Sequence, residues 1–189
     1  MTARPWQRIT FWLPPALGWA LAVAWASLRA EPYFALWLVF PAIVGAALGA
    51  GLAWLAQLCK LAEVRWLLPG TLIATLVTVG AQHWFAYRQV RELYREREAA
   101  LLAKAPLAGA GALALAGEQP PENVWQFLRD DAAAGRVLVG GWRAQGVACW
   151  LSWGLDAMLV LAAALAMVLL WRSRVPEPTV AAQNVGPVT

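Results

Sequence analysis

The chain has 189 residues, 61% hydrophobic and 14% charged, with a formal net charge of +4. Soluble domains carry roughly 45–50% apolar and about 25% charged residues, so a water-soluble globule of this composition would expose large apolar areas. The arginines flank apolar runs or alternate with acids and form no basic face interleaved with stacking aromatics, which argues for a topology signal and against a nucleic-acid partner.

Four stretches, 9–28, 32–59, 66–87 and 144–171, hold no charge, apart from Asp156 in the last. A hydrocarbon core about 30 Å thick needs roughly 20 apolar helical residues to cross it. The fold class expected is therefore all-α integral membrane, with four transmembrane helices at 10–28, 33–58, 67–88 and 148–172. A mostly helical extramembrane segment, 89–147, joins spans three and four, and 173–189 reads as a disordered tail.

Span one follows Arg4 and Arg8 and precedes Arg29 and Glu31, which cancel. Ala24-Trp25-Ala26 before Ser27 also fits a secretory cleavage site, but Pro14, Pro15 and the bulky Trp12, Trp19 and Trp25 favour a permanent helix. Tryptophan is unusually frequent, at 13 residues, and Trp6, Trp12, Trp66, Trp84, Trp150, Trp153 and Trp171 fall near expected span ends, where indole suits the headgroup boundary. Gly18, Ala22 and Ala26 recur every four residues in span one, as do Gly45, Gly49 and Ala53 in span two. Such small-residue stripes permit close backbone approach, and spans one and two are expected to pack on each other through them.

In span three, Thr71, Thr75, Thr78 and Gln82 align on one helix face. The expected use is inward, with the threonines bonding their own helix carbonyls; the alternative is a path shared between copies. Span four carries Asp156, which antiparallel packing would bring to the depth of His83 and Gln82. Unpaired acids are costly in the membrane, so these three residues are expected to lock two helices together. Arginines and lysines at 4, 8, 60, 65, 172 and 174 place both termini and the second loop in the cytoplasm, against the pull of Arg88, Arg91, Arg95 and Arg97.

Beyond span three, 88–104 is a strong helix former expected to continue that span out of the membrane, and 105–117 reads as a loose link. Pro120-Pro121-Glu122 should open a second helix, with Val124, Phe127 and Leu128 on its apolar face, Asp130 and Asp131 as a solvated acidic end, and Gly135 as its stop. Residues 136–142 read as a short extended piece with a glycine turn. Cys59 and Cys149 fall at opposite ends of the expected bundle, too far apart for a bridge.

No catalytic, metal, cofactor or nucleotide motif is present in the sequence. The function expected is a structural or accessory subunit of a membrane assembly, not an enzyme, located in a bacterial inner (plasma) membrane. Its partners would be lipid and other membrane subunits or copies of itself, with 89–147 as the docking surface. A small homo-oligomeric channel or transporter is the alternative, and an enzyme resting on His83 and Asp156 comes third.

Overall fold

In this computed structural model of the protein, residues 5–30, 38–61, 64–104, 120–138 and 142–174 are described. The expectations for the first loop, the 105–117 link, the turn glycines and the tail from residue 175 lie outside them. The described residues form five helices and one small hairpin: α1 (Pro5–Ala30), α2 (Val39–Leu58), α3 (Val64–Lys104), α4 (Val124–Ala134), β1 (Arg136–Val137), β2 (Arg143–Ala144) and α5 (Val147–Arg174). Among the described residues three segments are long and apolar enough to cross a bilayer: Ile9–Ala30, Val39–Leu58 and Val147–Ser173. The sequence reading expects four; α3 stands apart because Thr71, Thr75, Thr78, Gln82 and His83 dilute its apolar half.

The long helices pair in parallel. Along α1 and α3, Trp12 lies against Gly70, Ala20 against Thr78 and Ser27 against Gln82, so the two helices advance together. Along α2 and α5, Gly45 meets Val160 and Gly49 meets Ala164, again in the same direction. The pairs join where the indole N–H of Trp19 donates to the Ala47 carbonyl at 3.3 Å. Leu48, Leu52, Ala56, Leu67, Ala74 and Val168 fill the centre, with Trp12 and Ala16 of α1.

Two expectations about packing are corrected here. The stripe on α2 does allow close approach, but its partner is α5 and not α1. A methyl group on Gly45 would lie 2.8 Å from the Val160 Cα, and one on Gly49 would lie 2.7 Å from the Ala164 Cα, distances that real side chains do not tolerate. On α1, Gly18, Ala22 and Ala26 are all exposed, and the packed face is Trp12, Ala16, Ala20, Val23 and Ser27. The reason is geometric: α1 meets α3 through a face whose bulk is fixed by Trp12 over Gly70, which turns its other small-residue stripe outwards. Trp12, expected at a headgroup belt, is for the same reason a core residue, 1% exposed.

The segment after α3 folds back onto the bundle. Helix α3 runs unbroken for 41 residues, about 60 Å at 1.5 Å per residue, twice a hydrocarbon core. Its charged half therefore extends well past the ends of its neighbours. Helix α4 begins at Val124, capped by Asn123, whose side-chain oxygen accepts from the Gln126 amide at 2.9 Å. The Gln126 side chain accepts in return from the Glu122 amide at 3.0 Å, so two otherwise free donors at the helix start are satisfied. Strands β1 and β2 form a two-residue antiparallel ladder, Arg136 opposite Ala144 and Val137 opposite Arg143.

Gly49→Leu should force α2 and α5 apart and lower the thermal stability of the purified protein by the equivalent of about 1–3 kcal/mol. Gly18→Leu, at a position with nothing within 4 Å, should leave it unchanged. Melting temperatures in one detergent compare the two.

Candidate functional site

The site is built where α4 and the hairpin cover one end of the bundle. Tyr87 of α3 is buried there, and its hydroxyl donates to the Glu122 carbonyl at 3.3 Å. Arg91, one turn on, donates to the same hydroxyl at 3.1 Å and lies over the Tyr87 ring. The Phe127 ring packs against Tyr87 with centroids 5.9 Å apart, which seats α4 on α3 by its apolar face. Gly135 then ends α4 with φ +80°, and a side chain there would strike the Ala144 carbonyl oxygen at 2.7 Å. Only glycine combines that backbone with that approach, and the turn it makes carries Arg136 inward. The Gly146 amide donates to the Ala132 carbonyl at 2.8 Å and ties the start of α5 to α4.

Beneath this cap lies a cavity of about 280 Å³ reached by all five helices and by β1. Its polar lining is Gln82 and His83 of α3, Asp131 of α4, Arg136 of β1, and Cys149 and Asp156 of α5. Phe40 and Val44 of α2, Leu28 of α1, Phe127 and Trp153 supply apolar walls. Arg136 donates through Nη1 to Oδ2 of Asp156, an ion pair with both side chains about three-quarters or more buried. The other oxygen, Oδ1, is buried and has no hydrogen-bond partner among the described residues.

The three residues expected to form a polar lock share this cavity but bond elsewhere. Asp156 takes Arg136 in place of His83, because Gly135 turns the hairpin down over α5. His83 packs its ring against Trp153, 5.0 Å between centroids and tilted by 57°, and Trp153 meets Trp150 edge-on at 4.9 Å. Gln82 reaches across to α1 and donates to the Ser27 hydroxyl at 2.5 Å. The threonine face is likewise turned to α1. Thr71 donates to the Leu67 carbonyl at 2.7 Å, and Thr78 to Ala74 at 2.8 Å and Ala20 at 3.3 Å. Thr75 is buried with its hydroxyl unpartnered among the described residues.

Arg136 and Asp131 are the site residues that the sequence reading passes over. An acid inside an apolar run calls for a cation, and an arginine directly after a helix-ending glycine is one the chain can fold back; that was the available signal. Asp130 and Asp131 part as adjacent helical residues must, and Asp131 is the one at the cavity. Burial raises the Asp131 carboxyl above its usual range, against the pull of His83 and Arg136 in the opposite direction. Among the described residues no group of three or more His, Cys, Asp or Glu side chains is placed to hold a metal ion. Cys59 and Cys149 are both free thiols.

Comparison with models of protein families, with characterised proteins and with solved structures yields no match to this chain.

Arg136→Met should loosen the hairpin, by about 1.5–3 kcal/mol for a hydrogen bond between charged groups, without loss of helix content. Asp156→Ala added to it should cost less than Asp156→Ala alone, since the pair is already broken; hydrogen exchange of the Gly146 amide reads both.

A raised carboxyl pKa means that the folded protein binds the proton more tightly than the unfolded chain. The contribution of Asp131 to stability is thus greatest at low pH and is lost as pH climbs from its ordinary value of 3.8 through the raised one. Asp131→Asn should flatten that dependence and be neutral or stabilising at pH 7, as measured by the same amide's exchange across pH.

Proposed function

We propose that this chain is a four-span protein of a bacterial plasma membrane, with both termini in the cytoplasm, acting as a structural or accessory subunit of a membrane assembly. The fourth span is the apolar half of α3. It runs parallel to α1 from Gly70 to Gln82, so if α1 crosses the bilayer, α3 crosses it beside α1, with its threonines turned inward and its leucines to lipid. The capped end of the bundle then lies outside.

The observation that carries the subunit reading is the uneven use of apolar residues on the cap. Phe127 and Ala132 are used up against the bundle, whereas Trp125, Val137 and Trp142 stand 70%, 63% and 76% exposed. Large aromatic and branched residues left exposed on a folded extramembrane unit are of the kind that anchors a protein partner. The docking surface is accordingly narrower than the whole 89–147 segment: it is the outward face of α4 and the hairpin. Segments of α3 past Tyr87 add the charged arm beside it.

The homo-oligomeric channel has less support, because, of its proposed lining of Thr71, Thr75, Thr78 and Gln82, the threonines are buried and Gln82 bonds Ser27 of α1 within a single chain. Extraction from the native membrane in a mild detergent, followed by native mass measurement, tests the proposal. Other chains should copurify in fixed ratio with the wild-type protein and be lost from Trp125→Ala/Trp142→Ala, whose own helix content is unchanged. A closed homo-oligomer with no other chain would end the accessory reading.

A further inference from the structure

The cavity under α4 has a charge arrangement that selects a ligand. The titratable groups that face it are His83 from α3, Asp131 from α4, Arg136 from β1, and Cys149 and Asp156 from α5; the residues that α1 and α2 contribute are apolar. Arg136 is the one cation of fixed charge among them, and it already donates to Asp156. Asp131 makes no ion pair with any described residue and feels Arg136 only at a distance, so two carboxylates share one guanidinium and the cavity is left with an excess of negative charge. Asp131 is exposed on one side while lining the cavity on the other, which puts it at the mouth. Asp156 Oδ1 has no hydrogen-bond partner among the described residues but is enclosed in the wall, out of a ligand's reach. An anion entering here would meet Asp131 and could win Arg136 only by breaking a buried pair, whereas a cation meets the unpaired carboxylate of Asp131.

The walls agree with the charge. Leu28, Phe40, Val44, Phe127 and Trp153 line it with apolar and aromatic surface, which suits the body of an amphipathic cation. At about 280 Å³ the cavity is at the small end of ligand pockets, so the occupant is small.

We propose that this cavity binds a primary ammonium group carried on a small apolar body, with Asp131 as its counter-ion. The source is either a free amine or the amino headgroup of a membrane lipid, and both present the same chemistry. This site is separate from the exposed docking face and does not depend on any partner chain.

The test uses the full chain in lipid nanodiscs at pH 8, above the ordinary histidine range, with 2-phenylethylammonium as the probe and isothermal titration calorimetry as the readout. The amine should bind saturably and the isosteric neutral 2-phenylethanol should not. Asp131→Asn should weaken binding at least tenfold, and Asp130→Asn, on the same helix but outside the cavity, should leave it unchanged. Absence of saturable binding to the wild-type protein overturns the proposal, as does equal affinity for the alcohol or equal affinity of Asp131→Asn. Weaker probe binding in phosphatidylethanolamine discs than in phosphatidylglycerol discs assigns the natural occupant to the lipid headgroup; equal binding in both assigns it to a free amine.

Discussion

Apolar helices gain nothing from hydrophobic burial when their surroundings are as apolar as they are, so a bundle in lipid depends on how closely its backbones approach. In this chain the decisive approach is that of α2 to α5 at Gly45 and Gly49, where the absence of two side chains brings Val160 and Ala164 against the α2 backbone. The centre of the bundle goes with it: Leu48 and Leu52, one turn apart on α2, belong to the same buried cluster as Val168 and Ala164. Helices α1 and α3 then add as a second pair, and their contact solves a different problem. Three threonines and a glutamine would be expensive on an apolar face without partners, and α1 covers them with a carbonyl from Ala20 and a hydroxyl from Ser27.

The cap depends on the bundle in turn. Helix α4 has 11 residues, short for independent stability, and it holds its place by lending Phe127 to Tyr87 and by the amide of Gly146. Arg136 adds the charge that Asp156 requires. An acid placed two turns into an otherwise apolar helix is costly by itself, yet here it is the anchor point for a segment that joins the bundle from outside. The same fold-back encloses the cavity, so the features that stabilise the cap also create the site.

Much of the candidate site was within reach of sequence reasoning, and the part that was not has a specific cause. Asp156, His83 and Gln82 stand out because polar residues are rare in apolar runs, and all three line the cavity. Their partners could not be read, since a side chain's nearest neighbour depends on helix rotation, which spacing along one helix does not contain. Gln82 faces α1 because the whole threonine face does; Asp156 is met by an arginine 20 positions earlier because Gly135 reverses the chain. The α1 stripe is left unused, and the α2 stripe meets a different partner, for a related reason. Gly18, Ala22, Ala26 and Gly45, Gly49, Ala53 are equally good as patterns, but a pattern states only that close approach is possible, and α1 had a second small-residue face at Ala16, Ala20 and Ala24 that Trp12 selected.

By itself the sequence determined that the chain is helical, that the long uncharged runs lie within helices, that α3 would carry on past its apolar half, and that Gly135 would end the short helix. Those properties follow from local chemistry: apolar content, charge spacing and backbone freedom act within a few residues of where they are read. The tertiary structure alone decided which helix faces meet, that Trp12 belongs to the core, that Asp131 parts from Asp130 to line a cavity, and that Arg136 answers Asp156. Each of these is a relation between residues distant in the chain, set by how rigid helices rotate and approach until their small residues interlock and their few polar groups find partners.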